Sequence, residues 1–280
     1  MALSFPIAFE KMSGTGNDFV IIDNRFSTIP AEEHRELARK LCRRMFSVGA
    51  DGLILIRDSG CADFGWDFYN ADGSTAEMCG NGSRCAARFA YRHGITRNRK
   101  MTLETIAGIV DIEICDPDDI VKVKMPPPRD FRFDLSVDFD DEERMVAFVN
   151  TGVPHAVIYV DNDEVPVKTW GRKVRFHKLF EPSGTNANFV QVLGKNTLKV
   201  RTYERGVEAE TMACGTGAVA SALVAAIQRG VDSPVEVVTS GGDTLTILFD
   251  IDDGPVADNV YLQGPTRLVF SGNLTAEALI

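Results

Sequence analysis

The sequence predicts an α/β (α+β) fold made of two related domains, and three observations carry that reading. Strand-like stretches outnumber helical ones along the whole chain. A proline-rich, acidic break at 126–143 separates two halves of similar size. The same short motifs recur, in the same order, in each half.

Taken in order, the opening MALSFPIAFEKM has no basic n-region and is broken early by Pro6. It reads as the first strand rather than a secretory leader. DFVIIDN and GLILI are strands, and between them AEEHRELARKLCRRM follows Pro30 with Leu37, Leu41 and Met45 on one helical face. MTLETIAGIVDIEI and IVKVKM continue the strand pattern. PPPRDFRFDLSVDFDDEE then denies both helix and central strand, so the first domain runs over 1–126. RMVAFVN, HAVIYVD, FVQVL, LKVRTY, VEVVTS and TLTILF are the strands of the second. Two further helices, GSRCAARFAYR and GAVASALVAAIQR, each follow a cysteine. The second is apolar on nearly every face, which predicts a buried helix.

Composition narrows the function. At 280 residues, 44% apolar and 25% charged, the chain has the make-up of a soluble globular protein with a proper core. A net charge of −10 without a sustained basic run argues against nucleic acid as a partner. No apolar run approaches the ~20 residues that span a bilayer. Six cysteines lie scattered without a C-x-x-C pair, which predicts reduced thiols in a cytoplasm. With no H-E-x-x-H and four histidines, no metal site is expected, and no lysine stands in a Schiff-base setting, so no cofactor is expected.

The halves echo each other. SGTGNDFV at 13–20 resembles SGTNANFV at 183–190, and CGNGSRCAA from Cys79 resembles CGTGAVASA from Cys214. An aromatic–polar pair, Tyr69-Asn70 or Tyr203-Glu204, lies about ten residues before each thiol. This reads as a duplicated domain rather than a solenoid, whose period is ~20–50 residues. Cys42, Cys61, Cys85 and Cys115 have the settings of ordinary core thiols. Cys79 and Cys214 stand at glycine-rich helix mouths, where unpaired N–H groups favour a thiolate and cradle a carboxylate.

A matched thiol pair suits three chemistries. A redox disulfide usually draws on neighbouring cysteines, and a nucleophilic cysteine needs one thiol with a histidine base. The third is proton transfer across a stereocentre, in which one thiolate takes a proton from one face and the other thiol delivers one to the opposite face. Duplication would bring two such groups to one cleft.

NADGSTAEMCGNGSR, YERGVEAETMACGTGA, KMSGTGNDFVIID and TGVPHAV together resemble the diaminopimelate epimerase family over nearly the whole chain. The resemblance implies a cofactor-independent homodimeric isomerase interconverting LL- and meso-2,6-diaminopimelate, on the route to lysine and peptidoglycan. It implies two pseudo-symmetric domains, each a mixed, barrel-like sheet around a central helix, with 264–280 returning to the first domain and 127–263 forming the second. It makes Cys79 and Cys214 the acid–base pair, supported by His155 and Glu204. Asn17, Asn70, Gly80, Asn81, Asn186, Glu204, Arg205, Gly215 and Thr216 would bind the small amino-acid substrate. An arginine fork suits a carboxylate and a glutamate suits an ammonium. Val153, Gly52 and Phe270 depart from common family residues. Relatives that racemise histidine or hydroxyproline share the scaffold, so a racemase of another amino acid is the alternative, and a thiol redox protein is the alternative of a different class.

Overall fold

The computed structural model describes residues 3–139, 142–251 and 257–280, so the DD at 140–141 of the proline-rich break and the first two residues lie outside it. The chain forms two compact units, one of Met1–Val123 with Gly264–Ile280 and one of Lys124–Gln263.

The first unit runs through β1 (Ile7–Gly14), β2 (Asn17–Asp23), α1 (His34–Leu41), β3 (Gly52–Arg57), β4 (Phe64–Asn70), α2 (Gly80–Arg92), β5 (Lys100–Thr105), β6 (Gly108–Ile114) and β7 (Ile120–Lys124). The second contains β8 (Arg129–Asp138), β9 (Glu143–Asn150), β10 (Pro154–Tyr159), α3 (Val167–Arg175), β11 (Asn186–Val192) and β12 (Thr197–Glu204). It continues with β13 (Ala209–Thr211), α4 (Gly215–Arg229), β14 (Val235–Thr239), β15 (Thr244–Ile251) and β16 (Ala257–Pro265). Then β17 (Arg267–Leu274) pairs antiparallel with β1 in the first unit.

Strand directions give the two units one plan. From β17 the first sheet runs β1, β2, β3, β4, β5, β6, β7, with parallel steps only at β2–β3 and β4–β5. From β8 the second runs β9, β10, β11, β12, β14, β15, β16, with parallel steps at β10–β11 and β12–β14. The parallel steps are the ones that need a crossover, and α1, α2, α3 and α4 occupy those four connections.

Side-chain parity explains why the central strands read as unbroken apolar runs. Phe19, Ile21, Ile54 and Ile56 face Ala86, Ala87 and Ala90 of α2, whereas Val20, Ile22, Leu53 and Leu55 face Leu37 and Leu41 of α1. Both faces are covered, so no polar alternation is required. Helix α2 packs on β1, β2, β3, β5 and β6, and α4 on β9, β10, β11, β12, β14 and β15, so each sheet wraps its central helix.

Several expectations from sequence are corrected. The first helix ends at Leu41 instead of running to Met45, which is exposed with φ at 69°. The chain turns there so that Arg44 can reach Asp18 at 2.7 Å and Asp51 at 2.9 Å. The proline-rich break contains a true edge strand, β8, and helix α3 was not foreseen, although Val167, Gly171 and Val174 bury at helical spacing after Pro166. Cys61 is exposed, not core. The loop echo also fails as a structural equivalence. SGTGNDFV spans the β1–β2 turn, whereas SGTNANFV enters β11, the counterpart of β3. In strand order, Thr15-Gly16 matches Thr151-Gly152 between β9 and β10.

Two predictions follow from this packing. Helix α3 rests directly on β12, where a Cβ at Gly171 would lie 2.3 Å from the Tyr203 Cβ. Gly171→Ala should cost at least ~1–3 kcal/mol despite alanine's better helix propensity, read as a lowered urea midpoint. An unchanged midpoint would contradict the close contact. The second concerns Asp18, whose carboxyl burial pushes up but Arg44 and Lys11 overcome, holding it below its ordinary value. Such a group stabilises fully above the unfolded carboxylate value of ~4 and loses its contribution as pH falls through the lower folded value. Asp18→Asn should therefore flatten the acid limb of the stability–pH curve, and parallel acid limbs in variant and wild type would refute it.

Candidate active site

Both central helices begin at a cysteine. Cys79 has extended backbone (φ −147°, ψ 117°) at the N-cap of α2, and its sulfur accepts the Gly82 N–H at 3.5 Å. Cys214 (φ −124°, ψ 108°) holds the same position on α4, without a side-chain capping bond. Serine, threonine, aspartate and asparagine cap helices best, so a cysteine at both mouths is not explained by helix stability. Gly80 and Gly215 are the first helical residues, where backbone N–H groups have no intrahelical acceptor and the helix dipole is positive.

In the first unit, the Cys79 thiol donates to Asn17 Oδ1 at 3.6 Å. Asn17 Nδ2 donates to Asp51 Oδ2 at 2.7 Å, and the same carboxylate oxygen accepts the Asp18 N–H at 3.1 Å. Asn81 is buried, with its Oδ1 accepting from Thr15 Oγ1 at 3.4 Å. The fully buried Arg84 guanidinium donates to Thr15 Oγ1 at 2.8 Å and reaches the Gly80 carbonyl at 3.5 Å. It sets a positive charge beneath the helix mouth. A Cβ on Gly14 would lie 2.9 Å from the Asn81 carbonyl oxygen, so glycine lets β1 approach α2 this closely. Asn70 is exposed, and its amide donates to Ser74 Oγ at 3.0 Å within its own turn.

In the second unit, Cys214 Sγ lies 3.5 Å from Thr216 Oγ1, which lies 2.9 Å from His155 Nε2. His155 Nδ1 meets Asn188 Nδ2 at 3.1 Å, Asn188 Nδ2 also donates to the Ala156 carbonyl at 2.9 Å, and Asn188 Oδ1 accepts from Thr202 Oγ1 at 3.0 Å. Burial drives His155 down to about 3, aided by the nearby Arg205 charge, so its ring is neutral at physiological pH. Thr151 Oγ1 donates to the Thr216 carbonyl at 2.9 Å, matching the contact of Thr15 with Asn81 in the other unit. Asn186 ties two loops, donating to the Pro154 carbonyl at 3.1 Å and accepting the Arg205 N–H at 2.7 Å. Glu204 ends β12, half-buried, and the Arg205 guanidinium follows it and donates to the Ser183 carbonyl at 3.1 Å.

The structure thus gathers Asn17, Gly80 and Asn81 around Cys79, and Gly215, Thr216 and His155 around Cys214, with Asn186 holding the segment that begins at Arg205. Sequence reasoning missed Asp51, Arg84, Asn188, Thr151 and Thr202. A polar residue inside an apolar segment was their one available signal, as with Arg84 in GSRCAA and Asn188 in NANFV. Among the described residues, no three His, Cys, Asp or Glu side chains form a group that could hold a metal ion. No helix there is long and apolar enough to cross a membrane.

Comparison with known proteins places the chain. The family model for diaminopimelate epimerase matches residues 9–130 and 147–269. The chain is 47% identical to the diaminopimelate epimerase of Aquifex aeolicus (strain VF5), over 97% of this chain and 99% of that one. It is 44% identical to that of Hydrogenobaculum sp. (strain Y04AAS1), over 95% and 98%. Among solved structures, a phenazine biosynthesis protein of the PhzF family from Bacillus anthracis superposes with a TM-score of 0.72 at 16% identity, covering 97% of this chain and 100% of that one. A hydroxyproline epimerase from Agrobacterium vitis does so with a TM-score of 0.67 at 16% identity, covering 98% and 92%. These two likenesses concern the fold. The cysteine-capped helices and the near-complete match to the family lead to one conclusion: the chain belongs to the diaminopimelate epimerase family and is an epimerase.

Proposed function

We propose that this epimerase interconverts LL- and meso-2,6-diaminopimelate by proton transfer between two thiols, supplying precursors of lysine and peptidoglycan. The observation that carries the reading is the duplicated helix mouth, with a cysteine at the N-cap of α2 and another at the N-cap of α4. The identity to curated diaminopimelate epimerases supports the substrate.

Cys79 and Cys214 are the acid–base pair. From the LL isomer, the Cys214 thiolate removes the α-proton while the Cys79 thiol delivers its own to the opposite face, and the roles exchange for the meso isomer. A carbon acid of this kind is weak, so the charge moving onto the α-carboxylate must be met by fixed donors. The first-turn N–H groups at Gly80-Asn81 and Gly215-Thr216 supply them, each backed by its helix dipole. The side-chain amides of Asn17, Asn70 and Asn186 orient the substrate's carboxylate and ammonium groups, while Arg205 takes the distal carboxylate through a planar fork and Glu204 an ammonium. Because it is held neutral, His155 does not act as an acid at neutral pH; its influence on the reaction runs through Thr216. The enzyme works without cofactor, as a homodimer in the cytoplasm.

In deuterated water, early product should carry deuterium at the inverted carbon while unreacted substrate keeps its hydrogen, because the group that takes the proton is not the group that returns one. Retention of the original hydrogen in product would point to a single base. Cys79→Ala and Cys214→Ala should each abolish LL-diaminopimelate epimerisation, followed by optical rotation under reducing conditions. Substantial turnover in either variant would overturn the two-thiol reading. Arg205→Lys should raise KM by roughly tenfold or more, since an ammonium cannot reproduce the bidentate fork. Unaltered kinetics would show that Arg205 does not bind substrate.

A further inference from the structure

The two helix mouths match in backbone but differ in the direction of their hydrogen bonds, and neighbouring groups fix that direction in each. Asp51 Oδ2 can only accept, so Asn17 must turn its Nδ2 toward it at 2.7 Å. This leaves Asn17 Oδ1, which cannot donate, facing the Cys79 sulfur at 3.6 Å. The Cys79 sulfur also accepts the Gly82 N–H at 3.5 Å, which a thiol and a thiolate both do, so the Asn17 contact decides between them: a thiol satisfies it, whereas a thiolate would meet a carbonyl lone pair.

In the other unit the ordering begins at the Ala156 carbonyl, which also only accepts. It fixes Asn188 with Nδ2 outward, and Thr202 confirms the orientation by donating to Asn188 Oδ1. The second hydrogen of that Nδ2 points at His155 Nδ1, so Nδ1 accepts and the single ring proton sits on Nε2. His155 Nε2–H then donates to Thr216 Oγ1 at 2.9 Å, and the Thr216 hydroxyl hydrogen is left for the Cys214 sulfur at 3.5 Å. A Cβ at Gly217 would lie 2.4 Å from Asn188 Oδ1, so the chain fits beneath the helix only because that position is glycine.

The geometry points to a built-in polarity: Thr202, Asn188, His155 and Thr216 form a buried positioning chain that makes Cys214 the hydrogen-bond acceptor, hence the thiolate, in the substrate-free enzyme, while Asp51 and Asn17 make Cys79 the thiol. This rests on the two-thiol reading above; it adds Thr202, Asn188 and Asp51 as residues that position the sulfurs without touching substrate, and gives Asn17 and Thr216 a second role. Charged groups stand around both. Near Cys79 these are Asp51 and Asp18, paired with Arg44 and Lys11, together with the buried Arg84. Arg84 favours a thiolate at Cys79 and the carboxylates oppose it. At His155 burial keeps the ring from charging, and the nearby Arg205 charge adds to it. The hydrogen bonds act at the sulfurs themselves and set the order.

The test is alkylation of the reduced, substrate-free, full-length protein by iodoacetamide across a range of pH, with peptide mapping of each cysteine. The midpoint of each rate–pH profile reports ionisation independently of how accessible that sulfur is. In the wild type, the Cys214 midpoint should lie about one pH unit or more below that of Cys79, as expected for one well-placed donor hydrogen bond. Thr216→Val should raise the Cys214 midpoint by most of that gap, and Thr216→Ser should restore it. Asn188→Asp should raise it too, by drawing the ring proton to Nδ1 and turning the Thr216 hydroxyl toward Nε2. Equal or reversed midpoints in the wild type, or a Thr216→Val variant that keeps the gap, would overturn the proposal. Because no substrate is present, that outcome would leave the deuterium and alanine tests of the two-thiol reading untouched. Failure of those tests would in turn leave the alkylation midpoints as measured.

Discussion

Everything at the candidate site depends on a helix buried inside a sheet with its N-terminus left partly open. A helix in water satisfies its first N–H groups with solvent or a capping side chain. Here α2 and α4 are wrapped by strands along their length, while Cys79 and Gly80 on one and Cys214, Gly215 and Thr216 on the other stay only half-buried. The cysteines at the caps leave the dipole and its donors available to a ligand. Gly80 and Gly215 place no side chain at the mouths, while Gly82 and Gly217 let the helices seat on Trp66 and Asn188. Burial of the helix and reactivity of its mouth are one constraint seen from two ends.

Duplication supplies the same backbone twice, with the same strand directions and crossovers. It does not supply the same polar surroundings. Thr15 and Thr151 occupy matching turns and both contact the residue two beyond the cysteine, but one binds the Asn81 side chain and the other the Thr216 carbonyl. Phe19 and His155 each face the first residue of the parallel neighbour, Gly52 or Asn186, and the polar group at that point differs: Asp18 directly before Phe19 in one unit, His155 itself in the other. One is a carboxylate held by Arg44 and Lys11, the other a buried neutral ring. The two halves keep their shape while differing in which hydrogen-bond partners they offer.

Much of this was legible in the sequence because backbone plan and local pattern agree. The central strands announced themselves as β-branched runs, and GAVASALVAAIQR as a buried helix. The paired Cys-Gly motifs marked the helix mouths by composition alone. What was not legible depended on pairing between distant segments. Asp51 matters because parallel pairing of β2 with β3 carries it to Asn17, and Asn188 because β11 lies beside β10. No local pattern reports such a neighbour. The loop echo misled for the same reason, since Ser-Gly-Thr is a turn signal that recurs wherever a strand begins. Helix α1 was read too long because its spacing is periodic through Met45, while the ion pairs of Arg44 are tertiary.

Cys85 lies two turns into α2, fully buried against the β1 backbone near Gly14, and burial pushes its thiol up to about 12. Cys42 is held at about 12 in the same way beneath α1. These sulfurs are undissociated at neutral pH, and thiolates rather than thiols attack electrophiles. A soft electrophile reaching α2 therefore meets one sulfur that can ionise, at its mouth, with an inert one behind it. The helix sorts identical side chains into warhead target and bystander by depth alone, which gives a covalent ligand of this fold its selectivity without any recognition of sequence.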